Sequence, residues 1–166
     1  LSPKPADRIQ AFPKSSWRGE FAHGQKLGFK CIELIYDELY LEDNPINSYS
    51  GRQELKMLAK EYQIELASIC ADYFMGNRFA DKNEKQRMEH LGTALNLLHI
   101  AKEINCHLVE FPFVDTSSLK NQADQEIVAT IIKQLDEKAR SLGIRIALET
   151  DLPPIDFKNY LNRFSE

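Results

Sequence analysis

Apolar residues along this chain switch repeatedly between a helical and an extended period. Trp17, Phe21 and Gly24 or Gln25 fall on one helical stripe that follows Ser16, a suitable N-cap, and ends at "KLGF", where Gly28 suits a C-cap. "KCIELIYD" then reads as a strand. "GRQELKMLAKEYQ" sets Leu55, Leu58, Ala59 and Tyr62 on one helical face, and "IELASICADYF" reads as the next extended run. A third helix carries Met88, Leu91, Leu95 and Leu98 at spacings of three and four before the strand "NCHLVEFPFVD". The fourth has the cleanest stripe, Ile127, Val128, Ile131, Ile132, Leu135, Ala139 and Leu142, and closes on Gly143 before the strand "IRIALETD". "PPIDFKNYLNRF" begins a fifth helix.

Strands separated by helices long enough to cross back over a sheet predict parallel βαβ units and an α/β class. Strand starts near Lys30, Ile64, Leu108 and Ile144 give a repeat of roughly 30 to 45 residues, which suits a (β/α)8 barrel or an open doubly wound sheet. Neither GxGxxG nor GxxxxGK[ST] is present, so no phosphate-binding fingerprint supports the open sheet, and the barrel is preferred.

Composition changes this picture mainly by exclusion. The 166 residues are 43% hydrophobic, enough for one domain with its own core. Lys and Arg total 21 against 25 Asp and Glu, a net charge of -4, and no basic cluster marks a nucleic-acid footprint. Cys31, Cys70 and Cys106 lie too far apart for a zinc knuckle or a CxxC motif and read as small core residues in a reducing, cytoplasmic setting. No apolar run approaches the roughly 18 residues of a spanning helix, and "LSPKPADRIQ" lacks the basic and apolar regions of an export signal.

Acids recur where strands end: Glu33 with Asp37, Asp72, Glu110 with Asp115, and Glu149 with Asp151. Barrel active sites sit at the carboxyl ends of the strands, so position rather than composition carries the signal. In the last strand Ile146 and Leu148 share the face toward the helices, while Arg145, Ala147 and Glu149 share the other, which points Glu149 at the barrel axis. A carboxylate there is either a salt-bridged acid at the mouth or a metal ligand and proton-transfer group. Glu33 and Glu110 face inward by the same alternation and suit orientation of substrate or support of a ligand. Asp72 suits the capping of a loop. His90 and His99 fall on the third helix, His107 before its strand and His23 on the first helix, so surface or packing roles are expected of all four.

These pieces resemble the xylose isomerase-like TIM-barrel superfamily, and within it the sugar phosphate isomerase/epimerase group that includes ketose-phosphate 3-epimerases. The resemblance rests on "LSPKP" with "IQAFPKSSWRGEF", then "LGFKCIELIYD", "ASICADYF", "HLVEFPFVD" and "GIRIALETD", in order along essentially the whole chain. It implies a (β/α)8 barrel of which residues 1–166 form one partial domain, covering strands two to five. It implies a single divalent metal, Mn, Mg, Co or Zn, whose first ligand is a glutamate ending the fifth strand; Glu149 matches that position. The other implied ligands, an Asp, a His and a Glu on strands six to eight, have no counterpart here, so the chain alone is not expected to hold the metal tightly. The implied reaction moves a proton beside the carbonyl of a ketose or its phosphate through an enediolate. Expected partners are a small sugar or sugar phosphate and a possible second copy of the chain, with neither nucleic acid nor membrane. A non-catalytic remnant or binding domain is the alternative, followed by a phosphodiesterase of the endonuclease IV kind.

Overall fold

Three of the helices start on a side-chain oxygen that replaces a missing intrahelical acceptor. Ser48 Oγ accepts from the Gly51 amide, Asn83 Oδ1 from that of Lys85, and Asn121 Oδ1 from that of Ala123. The computed structural model describes residues 10–164, and the "LSPKP" stretch lies outside them. The helices are α1 (Trp17–Lys26), α2 (Tyr49–Tyr62), α3 (Tyr73–Gly76), α4 (Glu84–Glu103), α5 (Gln122–Leu142) and α6 (Pro154–Leu161). They alternate with β1 (Cys31–Ile35), β2 (Glu65–Cys70), β3 (Leu108–Phe113) and β4 (Arg145–Thr150). Gly143 caps α5 at φ 71°, and Gly28, one residue past the cap of α1, has φ 83°; both need the left-handed freedom that glycine supplies.

All three strand pairs are parallel, and the sheet order is β1-β2-β3-β4. Right-handed crossovers that always step the same way place every crossover helix on one face. A doubly wound sheet must reverse its order to cover both faces. The sequential order therefore makes an arc of a barrel, helices outside and the axis side open. Among the described residues β1 and β4 are its edges, and a groove of about 460 Å³ runs along β1, lined by Trp17, Phe21, Phe29, Ile32, Glu33 and Leu34 among others.

The core fills the space between helices and sheet. Ile69, Val109 and Phe111 are fully buried on the outer face of the sheet, beneath Leu98, Leu135 and Ala139 from α4 and α5. Each such Leu or Ile contributes about 1.5–3 kcal/mol of burial. Between β2 and α4 a cluster of rings closes the carboxyl end, with Phe74 stacked on Phe79 at 4.6 Å and both against Phe111 at 5.5 and 5.7 Å.

Several expectations are corrected. The run after β2 is not extended beyond Cys70: Tyr73–Gly76 forms α3, because its aromatics seal the strand ends. In α4 the buried stripe runs through Leu91, Ala94, Leu98 and Ala101, and Met88 is exposed, since the helix begins beyond the sheet and docks only from its second turn. Cys70 and Cys106 are core residues but Cys31 is exposed: it shares the axis-facing parity of Glu33, on an edge strand that pairs only with β2 among the described residues. Ser16 stands at the N-cap of α1 without a side-chain capping bond.

Gly51 offers a test of how tightly α2 is docked. A Cβ there would meet the Pro45 carbonyl oxygen at 2.3 Å and its Cα at 2.6 Å, backbone atoms that cannot swing away. Gly51→Ala is expected to lower stability by about 1–3 kcal/mol, the usual range for overpacking, despite the higher helix propensity of Ala. A thermal melt that matches or exceeds the parent would show that the turn at Pro45–Asn47 yields freely.

Candidate functional site at the carboxyl ends of the strands

Alternation along paired strands decides which acids meet. Glu110 lies opposite Ala147 in β4 and Cys70 in β2, and Glu149 lies opposite Pro112. Glu33 lies opposite Ser68 across a register shift, where Ile32 pairs with Leu66 and Ala67 is the extra residue. The Ser68 hydroxyl donates a hydrogen bond to Glu33 Oε2, so the shift keeps a polar residue of β2 on the same side as Glu33. Glu33, Glu110 and Glu149 thus project from three strands to the axis side, as the alternation predicts. Glu33 and Glu149 are exposed there and Glu110 is half-buried.

Their mutual influence registers at Glu110. Burial pushes its carboxyl above the usual carboxylate range, and the like charges of Glu33 and Glu149 push it further. Among the described residues no Lys, Arg or His forms an ion pair with Glu33, Asp72, Glu110 or Glu149. The Arg52–Glu103, Arg78–Asp124 and Lys120–Asp151 pairs all lie elsewhere.

Asp72, one of the acids that follow the strands, belongs to this face and is joined there by Gln10, which sequence reasoning missed. Asp72 stands at the N-cap of α3 but makes no capping bond. Its Oδ2 accepts from Gln10 Nε2 at 2.8 Å, and its Oδ1 lies 3.1 Å from Cys70 Sγ. Gln10 and Asp72 are 62 residues apart, and no local pattern announces such a contact.

The remaining acids have structural work. Asp37 is buried and accepts from the Leu39 amide at 3.1 Å, as in an Asx-turn. Asp151 accepts from Ser118 Oγ at 2.6 Å and pairs with Lys120 at 3.0 Å, which ties the loops after β3 and β4 together and holds its carboxyl below the usual range. Asp115 turns the chain at φ 49°. Buried His90 touches the Arg78 carbonyl oxygen at 2.9 Å through Nδ1, while His23, His99 and His107 are exposed away from the acids, in the packing and surface roles expected of them.

The donors fall short of a metal centre. Among the described residues no three His, Cys, Asp or Glu side chains are placed to hold a metal ion together. Three carboxylates on one face, with no cation paired to them among the described residues, do, however, make a region that favours positive charge and hydroxyl donors.

The fold matches known proteins. The sequence pattern of the xylose isomerase-like TIM barrel family matches residues 21–164, and the chain belongs to that family. D-psicose 3-epimerase from Clostridium cellulolyticum, solved with D-tagatose, superposes with a TM-score of 0.69 at 18% identity, over 92% of this chain and 58% of its own. The apo form of 3-keto-D-glucoside 4-epimerase from E. coli gives 0.68 at 17% identity, over 95% and 62%. A xylose isomerase-like TIM barrel protein from Mycobacterium smegmatis in complex with magnesium gives 0.67 at 16% identity, over 93% and 54%. The chain therefore spans little more than half the length of these structures, consistent with part of a barrel. No curated protein matches its sequence. No helix among the described residues is long and apolar enough to cross a membrane.

The crowding at Glu110 has a measurable sign. A carboxyl whose pKa is raised in the folded chain disfavours folding once ionised: the stability present below the unfolded value is lost as pH rises through the folded one. Glu110→Gln is expected to be more stable than the parent at neutral pH, with the gap closing as pH falls below the ordinary glutamate range. Denaturant unfolding at several pH values with chelator present measures this. A variant less stable than the parent at pH 7 would show that the ionised carboxylate is favourably held instead.

Proposed function

We propose that this chain is part of a metal-dependent sugar isomerase or epimerase, in which Glu149 is both a metal ligand and an acid/base group and Glu33 and Glu110 orient the substrate. The observation that carries the reading is the convergence of three glutamates, Glu33 and Glu110 within β1 and β3 and Glu149 near the end of β4, on the axis side of a xylose isomerase-like arc. Proteins of the same fold include D-psicose 3-epimerase and 3-keto-D-glucoside 4-epimerase, and one holds magnesium. The described residues do not by themselves build a metal centre. A divalent ion in the whole protein would take Glu149 as one oxygen ligand, draw the others from outside these residues, and stabilise negative charge on the substrate oxygens.

The carboxylates themselves suit the proton movements. An ionised glutamate beside the carbon next to a ketose carbonyl can take its proton, leaving an enediolate: a proton taken from C3 and returned to C3 on the opposite face gives the 3-epimer, whereas a proton taken from C1 and returned to C2 gives the aldose. Glu149, exposed at the end of β4, is free to approach a substrate on the axis side. Glu110, whose raised pKa lets it hold a proton more readily, suits a hydrogen bond to a substrate oxygen. The acidic face, where Lys120 is paired to Asp151 and no cation among the described residues is paired to Glu33, Glu110 or Glu149, suits hydroxyl groups. The proposed setting is cytoplasmic, with a second copy of the chain as a possible partner.

Turnover of ketoses and ketose phosphates by the whole protein with Mn, Mg, Co or Zn is the test, and the variants are made in that protein. Glu149→Gln keeps shape but removes the charge, and is expected to lower kcat by about 10²-fold or more, the scale of an acid/base contribution, with the fold intact by circular dichroism. Glu110→Gln is expected to cost about 10- to 100-fold. Wild-type turnover and metal affinity in Glu149→Gln would reduce that residue to a structural acid, and a larger loss at Glu110 would reverse their order.

A further inference from the structure

Cys70 takes no part in the chemistry above, yet it lies at the centre of the acidic face. It is 2% exposed, and its Sγ sits 3.1 Å from Asp72 Oδ1 and 3.7 Å from Glu110 Oε1. Gln10 Nε2, which donates to Asp72 Oδ2 at 2.8 Å, also reaches the sulfur at 3.6 Å. A thiol carries one proton and is a weak acceptor, so the order of donation is fixed: the amide donates to sulfur, and sulfur donates to one carboxylate at a time. The shorter distance selects Asp72. Burial, then the charge of Asp72, followed by those of Glu110 and Glu33, push the thiol pKa far up, so the proton stays on sulfur.

Asp72 then receives one donor on each oxygen, with no cation beside it among the described residues. A carboxylate accepts at about four lone-pair positions, so half of its capacity remains for another donor. We propose that Cys70 is a positioning residue whose S–H, together with Gln10, fixes the Asp72 carboxylate beside Glu110 as an acceptor for substrate hydroxyl groups. The identity of the substrate rests on the sugar reading above; the placement of Asp72 rests on the geometry alone. A buried cysteine otherwise acts as a small apolar filler, and an alanine would then serve nearly as well.

The S–H stretching band in the infrared separates the two roles without requiring activity. Cys70→Ala identifies the Cys70 band among those of Cys31 and Cys106, and Asp72→Ala is expected to move that band toward the position of a free thiol. A band unmoved by Asp72→Ala overturns the proposal. In kinetics, Cys70→Ala is expected to raise KM for the ketose about tenfold with a smaller change in kcat, as for a supporting residue, and Cys70→Ser, which keeps a donor, to restore most of the loss. An unchanged KM in Cys70→Ala also overturns it. A wild type that turns over no ketose brings down the sugar reading alone, and the band then decides the placement of Asp72. Thermal melts of both Cys70 variants confirm that folded protein is compared.

Discussion

The two-residue period of the parallel strands is the constraint on which everything else here depends. With all crossover helices on one face, every second side chain enters the dry space between sheet and helices and the others face the axis. An unpaired carboxylate moved into that dry space would cost several kcal/mol after relaxation, so Glu33, Glu110 and Glu149 are held to the axis side as firmly as Val109 and Phe111 are held in the core. A slip of one residue would exchange the two sets. The extra residue at Ala67 matters for the same reason, since it lets Leu66 remain buried opposite Ile32 while Ser68 and Cys70 turn to the acids.

Sequential strand order adds the second condition. It leaves one face of the sheet without helices, which in an isolated flat sheet would expose an apolar surface. Here that face carries Glu33, Ser68, Glu110, Arg145 and Glu149, so solvent or a polar ligand can cover it without the penalty attached to an apolar patch. The same order leaves β1 and β4 as edges among the described residues, and an apolar-lined groove runs along β1.

Helices and strands were legible in the sequence wherever one face alone is buried. The stripe of α5 from Val128 to Ala139, its Gly143 cap and the alternation in β4 follow directly from that condition. Met88 was misplaced because spacing fixes the face of a helix but not where along its length docking begins. Cys31 was misplaced because residue type was weighed above parity: its place two residues before Glu33 assigns it to the axis side whatever its preference for burial. The axis-facing glutamates were legible through parity alone. The Gln10–Asp72–Cys70 contacts were not, since they join a loop before α1 to the end of β2 and follow only from the closed path of the chain.

Like-charge crowding and its remedies also divide along this boundary. Glu110 sits between Glu33 and Glu149 at a cost visible in its raised pKa, and no local ion pair offsets it among the described residues. The offset comes from the other side of the sheet. Phe111, next to Glu110 in β3, is locked among Phe74 and Phe79, and Pro112 and Val114 are hooked by the Ser117 hydroxyl at 3.0 and 2.9 Å. Packing of that density resists the relaxation by which repelled carboxylates would move apart. The aromatic cluster therefore does more than close the core: it holds β3 rigid at the point where the acids converge, so that the field they create remains for a ligand to neutralise.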